Sequence, residues 1–217
     1  MVKIKVLKDV LEANNYIARK IREELAKRQA MMINIIGSPG AGKTSFIIKT
    51  IEVLDVKAVV IEGDVTSDID SRKVASFGIP VVQVNTGGGC HLNANMIDLA
   101  LKKIPVENAV IFVENVGNLI CPASYDIGED FKLAICSVPE GHDKPFKYPA
   151  IFEKAGAIVL NKVDLIKHVD FDRDTFYEGV KTLNPKAYIF EVSSINGDGI
   201  EEWGQWLKSQ FMEKINR

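Results

Sequence analysis

The sequence predicts an α/β protein: a doubly wound, mostly parallel sheet of the P-loop NTPase type, with an N-terminal helix. Three observations carry this expectation. Seven short apolar runs alternate with segments of helical periodicity. Most of the runs are continuously apolar rather than alternating, as strands covered on both faces are. A glycine-rich phosphate loop lies between the first run and the helix after it.

The elements follow in order. Residues 6 to 29 read as a helix, because Leu7, Val10, Leu11, Asn14, Ile17, Ala18, Ile21 and Leu25 recur at helical spacing among Lys, Arg and Glu. Strands are expected at 31–36, 58–61, 81–84, 109–113, 132–136, 157–160 and 187–190, and helices at about 43–54, 66–76, 92–103, 147–155, 172–183 and 200–214. Asn118 to Asp130 is poor in apolar residues and reads as a functional loop. No repeat, low-complexity tract or Pro/Gly linker divides the chain. The expected organisation is an N-terminal helical segment, 1–30, and a nucleotide-binding domain, 31–217.

Composition narrows the function classes. The 217 residues are 47% hydrophobic and 26% charged, with a net charge of −2. A chain of this length buries roughly 70% of its unfolded surface, and global disorder is excluded. The near-neutral balance, with a pI near 6.0, argues against a bulk nucleic-acid binder. No apolar run approaches the ~18 residues of a membrane helix, and Met1-Val2-Lys3-Ile4-Lys5 does not open a secretory signal. A cytoplasmic protein with three reduced cysteines is expected.

Gly37-Ser38-Pro39-Gly40-Ala41-Gly42-Lys43-Thr44 fits G-x-x-x-x-G-K-[ST] at every fixed position, after a strand and opening a helix. Glycines let backbone N–H groups converge on phosphate oxygens, and the helix adds its positive end. Gly37, Ser38, Gly40, Ala41, Gly42, Lys43, Thr44 and Ser45 are the expected phosphate-binding positions. Lys43 should reach the β- and γ-phosphates, and Thr44 should hold Mg²⁺.

The base is read elsewhere. Asn161-Lys162-Val163-Asp164 follows an apolar strand and matches the N-K-x-D motif of GTPases. A carboxylate at Asp164 accepts from guanine N1–H and the 2-amino group; adenine lacks that donor pair and would leave it unpaired. The Lys162 stem can lie over the base plane, and Asn161 can tie neighbouring loops. Ser193, after the next strand, is a further base-loop position. The substrate is therefore GTP.

Two segments stand where γ-phosphate sensors stand, Glu62-Gly63-Asp64-Val65-Thr66 and Glu114-Asn115-Val116-Gly117-Asn118-Leu119. A Glu114 carboxylate can hold Mg²⁺, and the Gly117 N–H can meet the γ-phosphate. Asp64 can order or deprotonate the attacking water, or hold a magnesium-bound water. Lys43, Asp64, Glu114 and Gly117 are the candidate catalytic set, with Thr44, Asp64 and Glu114 toward magnesium. Asn118, not Gln, follows Gly117, and Arg72 reads as a surface pair rather than an arginine finger. Slow intrinsic hydrolysis follows, well below one turnover per second, against a typical enzyme value of roughly 10 s⁻¹.

Cys90-His91 follows the third strand, and Cys121-Pro122 follows the fourth. Thiolate and imidazole suit Zn²⁺, Ni²⁺ or Cu⁺. If both strands end at the nucleotide face, Cys90, His91 and Cys121 can converge. Three ligands leave a tetrahedral site unfinished, and a two-fold dimer or water can complete it. From chemistry alone a second reading stays open: Cys90 as a helix-start thiol of lowered pKa and Cys121 as a loop thiol. Cys136, inside an apolar strand, reads as core, and His142 and His168 read as solvated.

Taken together these motifs resemble the hydrogenase nickel-incorporation GTPases, the HypB family, from about Asn34 to Trp206. The specific pieces are Gly37 to Thr44, Glu62-Gly63-Asp64, Thr86-Gly87-Gly88-Gly89-Cys90-His91, Glu114 to Pro122, Pro139 to Pro149 and Asn161-Lys162-Val163-Asp164. Urease accessory GTPases are similar but usually carry Cys-Pro-His, whereas here His91 directly follows Cys90. The resemblance implies nickel delivery to [NiFe]-hydrogenase, and a GTP-dependent homodimer with Cys90, His91 and Cys121 as metal ligands near its contact. It also implies a nickel-delivery partner protein and the hydrogenase large subunit as partners. Some members carry an N-terminal cysteine cluster or His-rich nickel store; residues 1 to 30 hold neither Cys nor His, so high-affinity N-terminal nickel binding is not expected. The competing expectations are a urease accessory GTPase and a regulatory GTPase with incidental Cys and His.

Overall fold

The structure, a computed structural model, describes residues 6–65 and 68–216, with residues 6–10 described by their backbone alone. Its strands are β1 (Met31–Gly37), β2 (Lys57–Asp64), β3 (Val81–Asn85), β4 (Ala109–Glu114), β5 (Phe131–Ser137), β6 (Ala155–Asn161) and β7 (Tyr188–Glu191). All pairings are parallel, in the order β3-β2-β4-β1-β5-β6-β7. The seven expected strands are all present. β1 lies between β4 and β5 and is buried along its whole length, which is why its sequence is apolar on both alternating sets.

The helices are α1 (Val6–Lys27), α2 (Lys43–Val53), α3 (Ile69–Ser76), α4 (Ala94–Leu101), α5 (Cys121–Ser124), α6 (Lys144–Lys147), α7 (Pro149–Lys154), α8 (Arg173–Leu183) and α9 (Ile200–Ile215). On one face Phe46 of α2 and Trp203 and Phe211 of α9 pack on Ile33, Ile35, Val110 and Phe112. On the other, Ala18, Ile21 and Leu25 of α1 and Ile97 of α4 cover Met32, Val59 and Ile111. Phe152 of α7 and Phe176 of α8 cover Ala134, Ile158 and Leu160.

Four boundaries differ from expectation. The helix expected at 147–155 is two short helices, because Pro149 disfavours the helical conformation of Tyr148, which sits at φ −130, ψ 51. The helix expected from 66 is described from Ile69, and Thr66 lies outside the described residues. The helix expected from 92 starts at Ala94, where the Asn93 side chain accepts from Met96 N. The 118–130 loop contains α5, whose first turn carries Pro122. Among the described residues no helix is long and apolar enough to cross a membrane.

Candidate nucleotide and metal site

In open α/β sheets, ligands bind beyond the carboxyl ends of the strands. The loops after β1, β2 and β4 meet there around a cavity of about 580 Å³. Lys43, Thr44, Glu62, Asp64, Glu114 and Gly117 all line it. The phosphate loop closes by its own geometry: Gly42 sits at φ 95, and a Cβ there would come within 2.4 Å of Asn161 Nδ2. Gly117 is also closely packed, since a Cβ there would meet Pro39 Cγ at 2.8 Å. The second sensor thus packs directly on the phosphate loop.

The acidic wall is buried. Thr44 Oγ1 donates to Glu114 Oε1 at 3.0 Å. Glu114 Oε2 and Glu62 Oε2 are buried with no hydrogen-bond partner. Burial, first, and the neighbouring Glu114 charge push the Glu62 carboxyl up to about 8. Burial raises Glu114 to about 7, with Lys43 and the Thr44 hydroxyl opposing. Two orphaned carboxylate oxygens beside a hydroxyl are the hard-oxygen set Mg²⁺ takes, so these residues fit that ion. Lys43 Nζ donates to Ser38 O at 3.2 Å.

On the other side of the loop, Asn161 Nδ2 donates to Ala41 O at 3.0 Å and its Oδ1 accepts from Ser194 N and Oγ. Lys162 Nζ donates to Gly40 O at 2.7 Å. Ser193 is fully buried and its hydroxyl donates to Asp164 Oδ1 at 2.6 Å. The structure thus ties Ser193 to the Asp164 carboxylate.

The soft ligands come together beside this cavity. One ligand atom each from Cys90, His91 and Cys121 lie within 4.8 Å of one another. Cys90 Sγ is 3.5 Å from His91 Nδ1. The Cys90 thiol is raised above its ordinary value, first by its hydrogen bond with the Cys121 thiol, then by burial and by repulsion from a Cys121 thiolate. Burial lowers His91 and favours the neutral imidazole that ligates metals. Its ring packs on Tyr125, with centroids 3.8 Å apart.

Residues 31–191 match the nucleotide-binding domain of the CobW/HypB/UreG family. The chain belongs to that family. Among its HypB members, the hydrogenase maturation factor HypB of Escherichia coli K12 is 43% identical over 205 residues, covering 93% of this chain and 71% of that protein. The hydrogenase/urease maturation factor HypB of Helicobacter pylori J99 is 34% identical over 215 residues, covering 97% and 89%. The crystal structure of HypB from Helicobacter pylori in complex with nickel superposes with a TM-score of 0.90 at 33% identity, covering 94% of this chain and 97% of that one. The doubly wound P-loop fold is thus the HypB fold.

Some features were not readable from the HypB-like motifs. Lys73 Nζ, on α3, donates to Ser45 Oγ at 3.0 Å and lines the cavity, whereas its neighbour Arg72 is 79% exposed and paired with Asp68. Lys144 Nζ reaches Ser38 Oγ at 3.3 Å and pairs with Glu140. Asn14 is buried; its Nδ2 donates to Asp126 O and its Oδ1 accepts from Ala94 N. Cys136 is buried core, and His168 is exposed. His142 corrects its expectation: it is half-buried, accepts from Asp172 N at 3.2 Å and packs edge-on against Phe171.

Proposed function

We propose that this chain is a GTP-hydrolysing nickel carrier that serves [NiFe]-hydrogenase maturation in the cytoplasm; relatives named as hydrogenase maturation factors and a relative solved in complex with nickel support this reading. The observation that carries this reading is the placement of two thiols and an imidazole within 4.8 Å of one another, with Cys121 four residues beyond the Gly117 sensor. Nickel is cargo here, and the thiol–imidazole set also accepts Zn²⁺.

Lys43 grips the β- and γ-phosphates, and Asp164, held by Ser193, reads guanine. Thr44 and Glu114 would hold Mg²⁺, which supplies charge neutralisation on the β- and γ-oxygens. Asp64, on the same wall, either orders the attacking water or bonds a water of the ion's shell, and the Gly117 N–H meets the γ-phosphate. Cavity-lining cations in this chain are lysines, with Arg72 turned to Asp68, which supports slow intrinsic turnover. GTP binding favours a homodimer whose two copies complete the three-ligand metal site. Transfer to a nickel-delivery partner and then to the hydrogenase large subunit follows GTP hydrolysis.

The test is a titration of Ni²⁺ and Zn²⁺ into the full chain, with GDP and with a non-hydrolysable GTP analogue, while oligomer size is followed. Thiolate-dependent metal binding that weakens in Cys121→Ser, together with dimerisation in the GTP-like state, supports the reading. Metal binding that ignores Cys121 and nucleotide returns the chain to a regulatory GTPase.

A further inference from the structure

Asn115, two residues before Gly117, and Asn118, directly after it, both bond the cysteine–histidine loop, Asn115 from the wall of the nucleotide cavity. Asn118 Nδ2 donates to Cys90 O at 3.2 Å, and its Oδ1 accepts from Ile120 N at 2.9 Å. One amide therefore spans the two thiol-bearing segments. Asn115 Oδ1 accepts from Leu92 N at 3.1 Å and from Val116 N at 3.0 Å, while its Nδ2 donates to Asn34 Oδ1 at 3.0 Å. Asn115 is 1% exposed and its backbone N–H is bonded to Ile35 O of β1, so it is anchored in the central strand. His91 is thus gripped from both sides, at the carbonyl of the residue before it and the N–H of the residue after it.

The residue after Gly117 is an asparagine where some GTPases carry a water-orienting glutamine, and its amide instead engages Cys90 O and Ile120 N. We propose that Asn118 is a positioning residue, with Asn115 as its anchored counterpart. It ties the Cys90–Cys121 pair to the Gly117 turn, so that the γ-phosphate state sets the separation of the two thiols. An amide is needed because the contact uses a donor and an acceptor on one planar group. A carboxylate keeps the Ile120 bond but faces the Cys90 carbonyl with repulsion. Rigid bonded segments with two discrete arrangements are what transmit such coupling. The assignment rests on the nucleotide reading above but not on nickel being the cargo.

The experiment reads the thiol pair without metal. Diamide oxidises two neighbouring thiols to a disulfide, taking up two electrons and two protons to become the hydrazine. The rate of Cys90–Cys121 disulfide formation is followed by mass spectrometry in the metal-free full chain, with GDP and with a GTP analogue plus Mg²⁺. The wild type should differ between the two states by about fivefold or more, the low end of ordinary coupling. Asn118→Ala and Asn118→Asp should bring that ratio to within about twofold of one. Their GDP affinity and thermal midpoint should stay at wild-type values, which separates lost positioning from lost folding. A wild-type ratio of one, or variants that keep the wild-type ratio, overturns the assignment. Failure of nickel binding in the titration above removes the carrier reading and leaves this ratio as the judge of Asn118.

Discussion

Thr44 and Glu114, 70 residues apart in the chain, share a 3.0 Å hydrogen bond at the floor of the nucleotide cavity. The second oxygen of Glu114 is buried and has no partner. A buried unpartnered acceptor is unfavourable, so under the proposed function a cation is expected to complete the pair. Glu114→Gln keeps an acceptor for Thr44 but removes the charge. It should raise the Mg²⁺ concentration needed for tight GTP binding by about 10- to 100-fold, while Mg²⁺-free GDP binding stays unchanged. Nucleotide titrations over a Mg²⁺ series check this, and an unchanged Mg²⁺ requirement would remove Glu114 from the cation site.

Asp164 is held by the Ser193 hydroxyl at 2.6 Å. Asp164→Asn should weaken GTP binding by about 100-fold, since two charge-assisted bonds to guanine are lost or mispaired. Binding of xanthosine triphosphate should improve, because its 2-oxo group accepts from the new amide. Ser193→Ala should be milder, about 5- to 10-fold. Competition binding with the three nucleotides separates a base reader from a solvated strand end.

The acidic wall predicts a pH dependence. Burial raises Glu62 to about 8 and Glu114 to about 7, against 4.5 for an ordinary glutamate. The folded, cation-free protein therefore holds protons that the unfolded chain has already released. Stability should fall as pH rises from about 5 to about 8 and level off on either side. Nucleotide with Mg²⁺ should bind with proton release in the same window. Thermal melts of metal-free protein across that range should show the fall, and Glu62→Gln should flatten it. A stability that rises across the window would contradict the burial of these carboxyls.

Trp203, on α9, is fully buried, and its Nε1 donates to Thr50 Oγ1 of α2 at 3.0 Å. Its ring lies 5.4 Å from Phe46 and 5.2 Å from Phe190. Trp203→Ala should cost about 3–5 kcal/mol. Trp203→Phe should cost about 1–3 kcal/mol, through the lost indole bond and the space left, while the Thr50 hydroxyl keeps its bond to Phe46 O. Urea unfolding with shared slopes measures both, and a loss under about 1 kcal/mol for the alanine variant would mean that α9 contributes little to the core.

The sequence by itself determined what consecutive residues encode. The phosphate loop between β1 and α2 and the Asn161–Asp164 motif were legible because each is a short run with fixed backbone demands. The seven strands were legible because a strand buried on both faces must be apolar at nearly every position. Pro149 was visible as a residue, but its effect on Tyr148 was missed because a single helical period spans the two short helices. The tertiary structure decided what depends on strand order. Placing β4 between β2 and β1 brings the Cys121 segment beside the loop that follows β3, and no periodicity encodes that neighbourhood. It also decided that Asn34, in an apolar strand, answers Asn115, and that Asn14 on an apolar helix face joins Asp126 to Ala94. A polar side chain announces that it needs a partner once buried. Which partner it finds is set by packing between segments 80 or more residues apart, and that only the folded chain can show.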